Sequence, residues 1–187
     1  MDSDNKEILY LERAKNEIEL SRAVFKISTD NTIKTSLEIK ESSTFFSNVI
    51  SNSYYCIFYS AKALLENKGI TTKVPDEHRK TLYEFEKLVL SGEIDAYLLE
   101  IYKKVVIKAD ALLGIFVKEK SKRGEFTYKK LPQANLEPAK ESLENAETFL
   151  KSINLIIKRK LDKKKAEEDK KAKGSEDKQQ LQNSNKT

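Results

Sequence analysis

The sequence has 187 residues, of which 39% are hydrophobic and 35% charged, with a net charge of +5, five glycines, three prolines and one cysteine. The scarcity of glycine and proline argues against a sheet with many turns. The abundance of Lys, Glu, Leu, Ile and Ala, which are mostly helix formers, predicts an all-α fold. A lone cysteine excludes an internal disulfide. No apolar run approaches the roughly 18 residues that span a bilayer. We therefore expect a cytoplasmic protein.

Two N-terminal helices are predicted from apolar residues at helical spacing. The first runs over about residues 4–27, and the polar residues 28–40 form a loop with room for one short helix. The second begins at Phe46 and carries the strongest pattern in the chain, because apolar residues occupy more than one of its faces. Gly69 ends this helix, since glycine adopts the left-handed conformation of a helix C-terminus without strain.

Three further helices are predicted, which makes about five in all. They cover about residues 75–92, 94–118 and 135–157, and a connection over residues 119–134 precedes the last. The apolar stripe ends at Ile157. We therefore predict a helical domain over residues 1–157 and a charged tail over residues 158–187, partly helical and partly disordered.

The predicted tail carries the whole net charge. Between Lys158 and Lys173 nine Lys and Arg residues face four Asp and Glu residues, the charges after residue 173 cancel, and residues 1–157 are neutral overall. A polyanion would therefore meet a positive field only at the tail. The same run is also typical of a solvated helix face or of a partner-binding extension. The first cations of the tail are Lys158, Arg159, Lys160, Lys163, Lys164 and Lys165.

The second helix has more apolar surface than the core of a small bundle needs. A stripe that contains Phe45, Val49, Cys56 and Ala63 lies beside the stripe that starts at Phe46. Burial against a second copy would remove this patch from water, so we expect a homodimer.

The second helix also carries a distinctive run of aromatic and small residues. Its members are Tyr54, Tyr55, Phe58, Ala61, Ala63, Leu64 and Leu65. This run resembles the HEPN superfamily, in its small prokaryotic branch, where the helix reads approximately Arg-x-Tyr-Tyr-Ala-x-Phe-His-x-Ala-x-x-Leu-Leu. Three later features also fit this resemblance, which covers roughly residues 8–157. They are the helix exit at residues 68–70, His78 at the next helix start, and residues 123–128 before the last helix, with Thr127 replacing the family's acid.

The resemblance implies a bundle of four or five helices that commonly dimerises and, in active members, cleaves RNA without a metal. Those members use an Arg followed by a His, because the His moves protons near neutral pH and the Arg stabilises charge on the phosphate. The equivalent positions here are Asn52 and Tyr59. Asn carries no charge, and a phenol with a pKa of about 10 is a poor base at pH 7. The catalytic pair is therefore predicted to be lost.

The candidate cleft contains Asn52, Tyr55, Tyr59, His78 and Arg123. His78, the only histidine, is either a surviving acid or base on the cleft rim or a first-turn residue that caps or packs its helix. The tyrosines either stack on bases or pack in the core. Tyr55 and Tyr59 flank Asn52 and are the better candidates for a cleft.

These patterns predict a non-catalytic HEPN-fold binding module that acts through an oligomeric or partner interface and holds RNA or a nucleotide. The resemblance implies a nucleotidyltransferase-type partner, as in related toxin–antitoxin systems. Two alternatives stay open, a residual or altered metal-independent ribonuclease that uses His78, Tyr59 and Arg123, and a purely structural subunit. No P-loop, zinc spacing or glycine-rich nucleotide motif occurs, so neither a metal nor a cofactor is expected.

Overall fold

The computed structural model describes residues 6–113 and 136–184, and Arg123 of the candidate cleft lies outside these ranges. All regular structure in the described ranges is helical, which confirms the predicted all-α fold. The helices are α1 (Lys6–Thr29), α2 (Asn31–Ser36), α3 (Phe46–Asn67), α4 (Glu77–Leu90), α5 (Ala96–Leu113) and α6 (Leu136–Ser184).

Helix α2 is the short helix for which the sequence left room between residues 28 and 40. The Asp30 carboxylate caps it by accepting hydrogen bonds from the backbone N–H groups of Thr32 and Ile33. Such a cap satisfies donors that a helix N-terminus otherwise leaves unpaired. The loop after α2 is held by the buried Lys34, whose Nζ donates to the carbonyl oxygen of Glu41 at 2.6 Å.

Helix α3 is the centre of the bundle and packs against α1, α4 and α5. Its pairing with α1 is antiparallel, because Asn67 hydrogen-bonds Glu7 near one end and the ring of Phe46 contacts that of Phe25 near the other. Between these ends the Ser21 hydroxyl donates to the carbonyl oxygen of Val49 at 3.0 Å. Contacts at both ends and in the middle fix the register of α1 against α3.

A cluster of three fully buried rings joins the C-terminal helices. Phe85 of α4, Tyr102 of α5 and Phe149 of α6 have ring centroids 5.4 to 5.7 Å apart. Two of the three pairs meet edge to face, the arrangement in which aromatic rings attract each other by about 0.5–1.5 kcal/mol beyond area burial. This cluster holds α4 and α5 in place beside α3.

The apolar stripe that prompted the homodimer prediction is buried within the chain. Val49, Cys56 and Ala63 are completely inaccessible to solvent, and Phe45 is half-buried. The Cys56 thiol lies 3.9 Å from the carbonyl oxygen of Ala146 on α6, so the last helix covers this face. The structure thus removes the reason given for a homodimer, and dimerisation stays a prediction.

The structure divides into two compact units, Met1–Ile153 and Asn154–Thr187, whereas the charge pattern divides the chain after Ile157. The second unit is helical to Ser184, beyond the expected end near Lys173. Lys, Glu, Ala and Gln, which have high helix propensity, make up more than half of residues 154–184. Its first three cations, Lys158, Arg159 and Lys160, are exposed, and Lys163, Lys164 and Lys165 follow on the same helix. Within residues 6–113 and 136–184, no helix combines the length and the apolar character that crossing a bilayer requires.

Candidate functional site

Three tyrosines lie side by side where α1 crosses α3. Tyr55 and Tyr59 are one turn apart on α3, both half-buried, and their rings stack with centroids 6.2 Å apart. Tyr10 of α1 stacks on Tyr59, also at 6.2 Å, with the ring planes only 13° apart. Residues four apart share a helix face, which is why the two α3 tyrosines form one surface.

A cation that the sequence patterns did not reveal lies beside these rings. The exposed guanidinium of Arg13 on α1 is 5.6 Å from the ring centroid of Tyr59 and 5.9 Å from that of Tyr10. A guanidinium within about 6 Å of a ring centroid attracts the ring electrostatically. Arg13 therefore places a positive charge next to Tyr59, whereas the side chain of Asn52 carries no charge.

Asn52 and Glu17 lie further along the same pair of helices. On α1, Glu17 lies between Tyr10, which stacks on Tyr59, and Ser21, whose hydroxyl lies 3.0 Å from that of Ser53. Glu17 therefore faces the stretch of α3 around Tyr55, and Asn52 lies about one turn from that stretch. Both side chains are half-buried. The charge of Glu17 contributes to raising the pKa of Tyr55, after burial and the charge of Tyr59, so the carboxylate lies near that ring. We call the surface formed by Tyr10, Arg13, Glu17, Asn52, Tyr55 and Tyr59 the α1–α3 groove.

A buried lysine ties the groove to the start of α4. Lys62 is almost inaccessible, pairs with the carboxylate of Glu77, and lies 4.4 Å from the ring centroid of Tyr10. Its Nζ also donates to the carbonyl oxygen of Thr72 at 3.4 Å. Burial lowers the pKa of Lys62, but the interactions with Glu77 and Tyr10 outweigh burial and raise it overall. Lys62 is therefore a charged, paired group that fixes the first residue of α4.

His78, the second residue of α4, packs at the edge of the groove. Its ring stacks on Phe58 with a centroid distance of 4.1 Å and meets the Tyr55 ring edge-on at 6.0 Å. The Tyr54 hydroxyl lies 2.7 Å from Nδ1. Burial lowers the pKa of His78, the charge of Glu77 raises it, and that of Lys62 lowers it, with a net lowering. His78 is therefore neutral at pH 7, and its geometry fits a packed first-turn residue.

The titration of His78 should report its charged neighbours directly, because a chain with one histidine gives one imidazole Hε1 resonance in proton NMR. We expect its pKa below 6.5, the ordinary value from which burial lowers it. Lys62→Met should raise this pKa, since it removes a cation and frees Glu77, whereas Glu77→Gln should lower it. The protein must carry no histidine tag, which would add imidazole resonances. Circular dichroism must show that each variant keeps the helicity of the wild type. A wild-type pKa of 6.5 or above, or shifts of the same sign in both variants, would contradict the described geometry.

The structure brings together most of the predicted cleft that it describes. Tyr55 contacts both Tyr59 and His78 through its ring, and Asn52 lies one turn before Tyr55 on α3. Sequence reasoning missed Tyr10, Arg13 and Glu17. Their spacing along α1 puts them on one side of the helix, but only the register with α3 shows what that side faces.

Fold and site together define an all-α bundle whose first and third helices share an aromatic surface with one cation, Arg13, and one acid, Glu17. The sequence matches no protein-family model and no curated protein. The likeness to the HEPN superfamily accordingly rests on the aromatic run of α3 and on the shorter matches that follow it.

Proposed function

We propose that this chain is a non-catalytic, HEPN-type binding module that holds a nucleotide unit of single-stranded RNA in the α1–α3 groove. The observation that carries the proposal is the Arg13 guanidinium 5.6 Å from the ring centroid of Tyr59, which belongs to a surface of three tyrosines with Tyr10 and Tyr55. Aromatic side chains stack on bases of any sequence, and each stacked base contributes about 1–3 kcal/mol.

Arg13 is well placed to bind a phosphate beside a stacked base. Its side chain is exposed, and within the part of the chain that the structure describes it joins no ion pair. The planar fork of a guanidinium matches two phosphate oxygens at once and also packs on aromatic faces. A surface of tyrosine rings with an exposed guanidinium over two of them therefore suits a nucleotide better than a purely apolar ligand.

The groove lacks the Arg and His pair through which active members of the HEPN superfamily cleave RNA. Asn52 and Tyr59 stand where the resemblance places the catalytic Arg and His, and His78 is the one imidazole in the chain. Cleavage by the family's chemistry needs one group to take the 2′-hydroxyl proton and one to protonate the leaving oxygen. Arg13 restores a charge but not the missing imidazole, which favours binding without cleavage over the alternative of an altered ribonuclease.

The groove and the tail would contribute differently to RNA affinity. Residues 1–157 have no net charge, whereas the tail carries +5. Long-range attraction and most of the salt dependence should therefore come from the tail. Base contacts should come from the groove.

Homodimerisation and a nucleotidyltransferase-type partner are separate proposals, and they would use a surface other than the groove. Large apolar side chains on the outer faces of α4 and α5 are exposed, among them Leu90 at 80% and Ile107 at 71%. Exposed apolar side chains that lie together in one patch are typical of sites where another protein binds, so these residues are the ones to test. Sedimentation velocity at tens of micromolar tests the dimer, and a single monomeric species would contradict it.

Fluorescence anisotropy with a labelled single-stranded RNA tests the groove. Tyr59→Leu should weaken binding about tenfold or more, because it removes a stacking ring. Tyr83→Leu is the matched control, since Tyr83 is an exposed tyrosine on α4 with Lys87 4.9 Å from its ring centroid. The control should change the affinity less than about twofold, within the usual range for a surface substitution.

Arg13→Gln provides the second pair of variants. It should weaken binding several-fold, as expected for losing one charge-assisted contact to phosphate. Arg22→Gln is its control, because Arg22 is an exposed arginine of the same helix that pairs with Glu147 at 2.6 Å. Equal losses in variant and control, or no RNA binding by the unmodified chain, would contradict the proposed function.

A further inference from the structure

The two ends of the α1–α3 groove differ in their chemistry. Arg13 and the rings of Tyr10 and Tyr59 form a cationic, aromatic end. The other end offers hydrogen-bonding groups, the carboxylate of Glu17, which lies between the contacts that Tyr10 and Ser21 make with α3, and the carboxamide of Asn52 one turn before Tyr55. The ring of Tyr55 lies between these ends, since it stacks on Tyr59 and lies near the charge of Glu17.

Glu17 has no compensating partner that the structure reveals. Over residues 6–113 and 136–184 its carboxylate takes part in no ion pair and no hydrogen bond, although the side chain is half-buried. Burial raises its pKa, as expected for a carboxylate that loses water and gains no cation. Withdrawing a charge from water without a partner costs free energy. A ligand with hydrogen-bond donors would offset that cost.

We infer that the groove selects guanine, with the two oxygens of Glu17 accepting from N1–H and the exocyclic amino group while the base stacks on Tyr55. This inference rests on the proposed function and names the base that the same groove prefers. Guanine is the RNA base that presents two adjacent N–H donors on its Watson–Crick edge, which is the edge that proteins read in single-stranded RNA. Adenine and cytosine present a ring nitrogen acceptor there, which a carboxylate repels.

The neighbouring groups complete the match to a guanine nucleotide. The amide nitrogen of Asn52 can donate to O6, the acceptor beside N1–H on guanine. Arg13 lies four residues before Glu17 on the same helix, which corresponds to about 6 Å of rise. The base edge would therefore face Glu17 and Asn52, while the phosphate of the same nucleotide faces Arg13.

The test uses the full chain and labelled octamers of uridine that carry one central guanosine, inosine, adenosine or uridine. The guanosine octamer should bind at least about tenfold more tightly than the adenosine octamer, since one bidentate base contact discriminates by about 1–3 kcal/mol. Inosine keeps N1–H but lacks the amino group, so its octamer should bind with intermediate affinity.

Glu17→Gln should reduce the guanosine-to-adenosine ratio to about threefold or less, because a carboxamide offers only one acceptor oxygen. Glu19→Gln is the matched control. Glu19 is an exposed acid two residues further along α1, and a side chain at that offset points away from the groove. The control should keep the full ratio.

The outcomes separate this inference from the proposed function. Equal affinity for all four octamers, with binding still weakened by Tyr59→Leu, would overturn guanine selection and leave RNA binding in place. A guanosine preference that survives Glu17→Gln would also overturn it. No detectable binding of any octamer would overturn both.

Discussion

The purified chain is expected to cleave single-stranded RNA no faster than the uncatalysed background. Removing a general base typically costs about 10²–10⁴ in rate, and at the positions that the proposed HEPN likeness assigns to the base and the cation the chain has Tyr59 and Asn52. His78 cannot act as both acid and base, and burial lowers its pKa so that it is neutral at pH 7. Gel analysis of labelled RNA, with and without chelator, measures the rate.

Restoring the pair tests whether the groove is the remnant of an active site, and regained cleavage is the informative result. If the groove descends from an active site, Asn52→Arg with Tyr59→His should regain metal-independent cleavage, whereas each single substitution should not, because the two groups act together. The single variants are the controls for each other. Robust cleavage by the unmodified chain, lost in His78→Ala and insensitive to chelator, would contradict the non-catalytic proposal and favour an altered ribonuclease.

Deleting residues 158–187 is expected to leave the helical bundle folded and to remove most of the salt dependence of RNA binding. If about five tail cations contact phosphates, the full chain should lose roughly 10²-fold in affinity between 50 and 200 mM salt, and the shortened chain only a few-fold. Circular dichroism checks the fold, and anisotropy across a salt series gives the slope.

A second deletion is the charge-matched control for the first. Residues 174–187 contain two Lys and two acidic residues, so cutting after Lys173 shortens the chain without changing its net charge. That protein should keep the salt slope of the full chain. Unchanged, salt-sensitive binding by the chain that ends at Ile157 would place the electrostatic site in the bundle instead.

Helical periodicity was sufficient to predict the main elements of the fold. The predicted second helix, from Phe46 to Gly69, corresponds to α3, Phe46–Asn67, because a continuous apolar pattern and a C-terminal glycine delimit it. The pattern could not show which neighbour covers each face. The stripe with Cys56 therefore suggested a homodimer, whereas α6 of the same chain buries it.

The candidate site was only partly predictable for the same reason. The four-residue spacing of Tyr55 and Tyr59 is a local signal, and their rings do form one surface. Arg13 and Glu17 have no such local signal. Which residues of α3 they face depends on the antiparallel register that Ser21, Phe25 and Phe46 establish between α1 and α3. Tertiary packing of this kind is not encoded in the periodicity of either helix.

Photo-crosslinking tests RNA binding in the α1–α3 groove most directly. The full chain is irradiated with a single-stranded RNA that carries 5-iodouridine beside the central guanosine, and mass spectrometry of the digested complex locates the cross-linked residues. Cross-links are expected at Tyr55 or Tyr59, whose side chains are partly exposed. Cross-links confined to residues 158–187 would show that RNA binds only the charged tail, and would contradict the account.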